Sequence, residues 1–228
     1  MPEYQRATKE IVTPVAKIPA TIRETDAYAE ELLIKDLSQF AKRLPEYWAR
    51  LTVQLGDKKW PNRDDVLALR IPDLNSLIIE IYKLSFGDVL VITDPGEEGG
   101  YKVDLNELDF IVPPEGSGTD PTFSVTLPRT GHVVEYGFLT GDSEWGAGSS
   151  KSLAQRTFEA IRSVDGSQEI KLAEYMAWPG LDHRTLRAAM KRSIYGYDPR
   201  VRITRSDGKR EVINILSDPS FLVPALTG

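Results

Sequence analysis

The chain has 228 residues, with 28 basic and 34 acidic side chains and a formal net charge of −6. That is enough chain for one large domain or two small ones, and 41% hydrophobic with 27% charged residues argues against wholesale disorder. Cysteine is absent, which excludes disulfides, thiol catalysis and cysteine-ligated zinc or iron–sulfur sites, and fits a reducing interior most easily.

Residues 1–14 are polar, with Glu3, Arg6, Lys9 and Glu10, and hold no apolar core of signal-peptide length. No apolar run reaches the ~18 residues of a membrane-spanning helix. Residues 11–22 read as extended and proline-broken. The stripe Leu33, Leu37, Phe40 and Leu44 predicts a helix over 26–44. Trp60-Pro61 leads through Asp64-Asp65-Val66-Leu67-Ala68-Leu69 to a second helix over 73–86, with Leu74, Leu77, Ile78, Ile81 and Leu84 on one face. Asp73 is expected to accept hydrogen bonds from the free N–H groups at its start, and Gly87 to close it in the left-handed conformation. Strands over 89–93 and 101–105 are expected to flank a turn at Asp94-Pro95-Gly96-Glu97-Glu98-Gly99.

The run Pro113-Pro114-Glu115-Gly116-Ser117-Gly118-Thr119-Asp120-Pro121 has neither helical nor strand period. It is read as a linker, 113–121, between an N-terminal half (1–112) and a C-terminal half (122–228); a structured loop within one domain is the alternative. Past it, strands over 123–127 and 132–139 are expected across Pro128-Arg129-Thr130-Gly131. A helix over 150–162 would turn Leu153, Ala154, Thr157, Phe158 and Ile161 inward. A further helix runs to Tyr195 and is closed by Gly196. Strands over 201–204 and 211–215 enclose Ser206-Asp207-Gly208-Lys209, where Asp-Gly suits a tight hairpin turn.

The two halves repeat an order. Asp182 and Gly196 each stand 109 positions after Asp73 and Gly87, as do Arg192 after Lys83 and Tyr195 after Phe86. Phe221 and Pro224 follow Phe110 and Pro113 at an offset of 111. The expected class is therefore α+β, with two similar helix-plus-β-hairpin halves derived from an internal duplication.

Candidate chemistry is sparse. Gly146-Ala147-Gly148-Ser149-Ser150-Lys151-Ser152 suggests a phosphate loop but lacks its spacing and the glycine before the lysine, so a loop with Ser150 capping a helix is expected. His132 and His183 have no metal-binding spacing, and no nucleophile elbow is present. Asp94, Glu97, Glu98, Asp104, Glu107 and Asp109 form an acidic face without the ligand pattern of a calcium loop. Residues 191–210 are the opposite: Lys191, Arg192, Arg200, Arg202, Arg205, Lys209 and Arg210 against Asp198 and Asp207, with Tyr195 and Tyr197 interleaved. That composition fits an anion-facing patch or a docking surface. No catalytic residue, cofactor or metal ligand is assigned, and the pI near 5.1 argues against general nucleic-acid binding.

The order Val125-Thr126-Leu127-Pro128-Arg129-Thr130-Gly131, Leu139-Thr140-Gly141, Tyr195-Gly196-Tyr197-Asp198-Pro199 and Leu216-Ser217-Asp218-Pro219-Ser220-Phe221 resembles the T-even-type phage baseplate hub assembly chaperone family, over about residues 123–224. Many of its members carry paired cysteines in the hairpin, suggesting a zinc ribbon. Residues 203–209 here have none, so no zinc is expected. The resemblance implies a non-enzymatic assembly or structural role beside other tail or baseplate subunits, in the host cytoplasm during assembly or in the virion tail, with no membrane partner. Tyr195, Tyr197, Arg200, Arg202 and Arg205 are the candidate contacts, since Tyr and Arg are favoured interface anchors. The alternative is a nucleic-acid or phosphate-binding adaptor using the basic 191–210 region.

Overall fold

A computed structural model of the chain describes residues 6–34, 40–94, 97–146, 151–205, 208–217 and 221. The chain opens with an antiparallel meander: β1 (Thr8–Val12), β2 (Pro19–Arg23), β3 (Thr52–Leu55) and β4 (Lys58–Lys59) pair in that order. What reads as a proline-broken extended segment is thus a hairpin whose turn contains Pro14. Between β2 and β3 lie two helices, α1 (Ala27–Ile34) and α2 (Phe40–Leu51), where the sequence predicts one ending at Leu44. Leu33 and Leu44 are buried as expected, while Leu37 and the Phe40 side chain lie outside the described residues. The helix runs on past Leu44 because continuing buries Tyr47, Trp48 and Leu51. At about 1.5–3 kcal/mol for each large side chain, that outweighs the roughly 3 kcal/mol cost of Pro45 inside α2.

Next come α3 (Arg63–Leu67), capped reciprocally by Asn62 and Asp65, and the long α4 (Ile71–Phe86). Leu74, Leu77, Ile78 and Ile81 are buried on α4, and Gly87 closes it at φ 89°. The hairpin β5 (Val89–Asp94) and β6 (Glu97–Asp104) follows, with Pro95 and Gly96 of its predicted turn outside the described residues; then comes β7 (Phe110–Ile111).

The second half opens with β8 (Phe123–Thr126) and β9 (Val133–Tyr136), then α5 (Gly141–Trp145), α6 (Leu153–Glu159) and β10 (Ile161–Val164). Here the predicted 150–162 helix is corrected: α6 stops at Glu159 and Ile161 heads a strand that pairs with β9. The free edge of β9 gives Ile161 and Val164 a ladder, and tertiary pairing overrides the local helical period. Ser152, rather than Ser150, caps α6 through a reciprocal bond with Gln155; Ser150 lies outside the described residues. The chain continues through α7 (Leu172–Met176), α8 (Gly180–Arg192), β11 (Gly196–Tyr197), β12 (Arg200–Thr204) and β13 (Arg210–Asn214). Ser206 and Asp207 of the last predicted turn, and Asp218 to Ser220 and Pro224 beyond it, lie outside the described residues. The fold class is α+β, with small antiparallel sheets.

The helix starts need a further correction. Asp73 and Asp182 do not cap their own helices. Each is the third residue of a long helix, fully buried, and each accepts two consecutive backbone N–H groups from a hairpin turn far upstream. Asp73 takes Val15 N at 2.7 Å and Ala16 N at 3.1 Å; Asp182 takes Arg129 N at 2.9 Å and Thr130 N at 3.0 Å. Both turns carry a proline just before the two donors and a positive-φ residue just after them, Lys17 at 58° and Gly131 at 75°. Thr13 N bonds Ile18 O across the first, and Leu127 N bonds His132 O across the second.

The halves share one large core. Ile215, Leu216 and Phe221 pack with Leu44, Trp48, Leu74 and Leu77, while Leu127, Val134, Tyr136, Tyr175 and Leu186 form a smaller cluster of their own. Phe221 stacks on Tyr82 with ring centres 4.6 Å apart. The 113–121 segment is largely exposed, with Asp120 bridging Arg70 and Arg162.

Removing the Asp73 carboxylate strands two buried N–H groups, so Asp73→Ala should cost about 2–5 kcal/mol of stability in urea unfolding. The milder Asn variants separate the two sites. Burial raises the Asp73 carboxyl against its N–H donors. At Asp182 burial acts in the same direction, but the Arg129 and Thr130 N–H groups and the Thr130 hydroxyl outweigh it and hold the carboxyl below its ordinary value. At neutral pH, Asp182→Asn should therefore lower Tm more than Asp73→Asn. A depressed folded value means stability present above the ordinary carboxylate range and lost as the pH falls below it, so the gap between Asp182→Asn and wild type should close in melts taken towards acid.

Candidate functional site

The five candidate contacts sit along the ridge from the end of α8 through β12, and the structure gives them different tasks. Tyr195 packs its ring among Phe123 and Phe138, each 5.6 Å away between centres. Tyr197 faces the first half: its ring meets Phe110 edge-on at 4.9 Å, and its hydroxyl donates to Glu80 Oε1 at 2.5 Å. Lys9 Nζ binds the other Glu80 oxygen at 2.5 Å, so one nearly buried carboxylate joins β1, α4 and β11. Burial and the Glu80 charge push the Tyr197 phenol well above its ordinary value.

Arg200 forms a bidentate pair with Asp198, Nε to Oδ1 at 2.8 Å and Nη2 to Oδ2 at 2.7 Å. The pair lowers the Asp198 carboxyl and raises the guanidinium. Arg205 pairs with Glu211 at 2.6 Å. Arg202 is exposed, has no charged partner among the described residues, and lies opposite Val212 on β13. Two cations of this ridge, Arg200 and Arg205, are therefore paired within the chain, while Arg202 stays exposed without a charged partner among the described residues.

Two concavities flank this ridge. An apolar groove of about 590 Å³ lies where the halves meet, lined by Phe123, Phe138, Met190, Ile194 and Tyr195 above Pro72. On the other side a cleft of about 600 Å³ separates the two hairpins. One wall is Lys102, Val103 and Asp104 of β6; the other is Arg200, Val201, Arg202 and Ile203 of β12. Of the predicted acidic face, Asp104, Glu107 and Asp109 border this cleft. Its closed end is fixed by the β7–β11 pair and by Asp198 N donating to Asp109 O at 2.8 Å.

Gly196 sets that closed end. It has φ 72°, and a Cβ there would stand 2.8 Å from Pro14 Cγ and from Ser76 Oγ, so the second half reaches the first only where a side chain is missing. His132 binds Asp165 through Nδ1 at 2.6 Å on an exposed turn, and His183 packs edge-on against Tyr175. The two histidines thus serve separate places. Among the described residues no group of three or more His, Asp or Glu side chains is placed to hold a metal ion, and no helix is long and apolar enough to cross a membrane.

Sequence reasoning missed Glu80, Lys9 and Gly196 as the joint between halves. A signal existed for Glu80, an acid set between Ile79 and Ile81 in the middle of the apolar helix α4. Comparison with family models, with curated proteins and with solved structures finds no match for this chain.

Because a hydrogen bond to a charged group contributes about 1.5–3 kcal/mol, Tyr197→Phe should destabilise the chain by roughly that amount in urea unfolding. The same change should leave the Arg200–Asp198 pair in place; an unaltered midpoint would mean that Glu80 does not join the halves.

Proposed function

We propose that this chain is a non-enzymatic structural or assembly protein of a contractile-tail baseplate or hub, acting by docking to other tail subunits in the host cytoplasm or in the virion tail. The observation that supports docking is a pair of two-stranded hairpins whose outer edges have no strand partner among the described residues and which carry exposed apolar side chains. Val89, Val91 and Val212 are 50%, 38% and 59% exposed, and Phe110, Ile111 and Val112 are 47%, 39% and 67% exposed. Folded chains that work alone usually shield such edges. The assignment to a tail rests on the resemblance of residues 123–224.

We also infer that the halves arose by duplication. In its favour are the two buried aspartates 109 positions apart and their matching proline turns. Leu105 N bonds Asp88 O, and Ile215 N bonds Pro199 O, at the base of the two hairpins. The nucleic-acid alternative has less support, because Arg200 and Arg205 already hold Asp198 and Glu211.

Quantitative mass spectrometry of particles and lysate from the encoding system tests the role. Fixed stoichiometry with tail proteins in finished particles would mark a structural component. Association with tail proteins in lysate but absence from particles would mark a transient assembly factor. No association in either, or salt-sensitive retention on DNA instead, would overturn the proposal. In a pulldown of tail subunits, reversing Arg200 and Arg202 together should abolish capture if the basic ridge is the contact.

A further inference from the structure

We propose that the cleft between the two hairpins receives a short extended segment of a partner polypeptide, which adds a strand between β6 and β12 and joins the hairpins into one sheet. The inference rests on the docking role above and assigns its mode.

The ladders fix which backbone groups are available. Leu105 N bonds Asp88 O, and β5–β6 pairs Leu90 with Val103 and Ile92 with Tyr101. Antiparallel ladders alternate inward and outward groups, so the N–H and C=O of Lys102 and Asp104 point away from β5. In the second hairpin Ile215 N bonds Pro199 O and Arg205 N bonds Lys209 O, which turns those of Arg202 and Thr204 away from β13. Among the described residues no backbone bond joins these outward groups to another element.

These edges border the same space. Successive strand residues point to opposite faces, so a cleft lined by three consecutive residues of β6 and four of β12 reaches the edges of both strands, and through Val212 it extends onto one face of the second hairpin. One strand residue occupies about 4.8 × 10 × 3.3 Å, or about 160 Å³, so the cleft holds about four. Inward, Val103, Val201 and Ile203 offer apolar contact. The outer face is dipolar: Glu107 and Asp109 stand at the closed end, where Asp198 is already held by Arg200, while Lys102 and Arg202, which has no charged partner among the described residues, stand further out along the strands. The occupant that complements this is an extended segment with apolar residues alternating with charged ones, a basic side chain towards the closed end and an acidic one two residues away.

The test titrates the full chain, labelled for NMR, with the peptide acetyl-Val-Lys-Val-Glu-Val-amide. Shifts and slowed amide exchange are expected at Lys102, Asp104, Arg202 and Thr204. The same peptide N-methylated along its backbone should not bind, since its side chains persist but its donors are gone. Arg202→Glu, at an exposed site with no partner to strand, should weaken binding about fivefold. Unperturbed edge amides at millimolar peptide, equal binding of the N-methylated peptide, or perturbation confined to the apolar groove by Phe138 would overturn the strand-addition mode. Each of these outcomes leaves the particle measurement above to decide the docking role independently.

Discussion

Two buried carboxylates organise this chain. Asp73 and Asp182 each sit near the start of a long helix, where the partial positive charge of the helix end favours an anion, and each gathers two N–H groups from a turn more than fifty residues upstream. A tight turn leaves such groups pointing outward, and burying them without an acceptor would cost more than most single contacts supply. The aspartate thus solves two problems at once: it satisfies the turn and fixes the helix across the meander. The hairpin that follows each helix is placed in turn by where that helix begins.

Much of this order was legible. The period over 73–86 marks α4 directly, because local burial decides it, and the β5–β6 and β12–β13 pairs fall where the sequence places hairpins, though the tips of both lie outside the described residues. The Asp73 and Asp182 spacing was visible too, but its meaning was not. A lone aspartate at a helix start reads as a cap, and only the folded turn reveals a different set of donors. The 150–162 segment failed for the converse reason: Ile161 continues a helical period, yet the edge of β9 supplies it with a partner no local pattern encodes.

The joint between halves was the least legible part. The sequence expects Gly196 to close its helix as Gly87 closes α4, but α8 ends at Arg192 and Gly196 opens β11; the two glycines share only a positive φ. Nothing surrounds the position of a Cβ at Gly87, whereas at Gly196 Pro14 and Ser76 fill it. The same residue type therefore serves a backbone need in one half and a steric need in the other. Glu80 behaves likewise: an acid on an apolar helix is tolerable because Lys9 and Tyr197 reach it from two different elements. Composition reports none of these meetings, which depend on how the second unit lies on the first.

That packing has a consequence for the surface. Using Ile215, Leu216 and Phe221 to complete the first half's core draws the last hairpin to its side, and the β7–β11 pair pins its base. With the bases tied and the strands left unpaired, the two hairpins keep edges that a single continuous sheet would have consumed. Their charges follow suit: Arg200 and Arg205 are held by Asp198 and Glu211, while Arg202 has no charged partner among the described residues. The feature that reads in sequence as a basic patch is, in the folded chain, one wall of a cleft, so its shape is set by strand placement as much as by net charge.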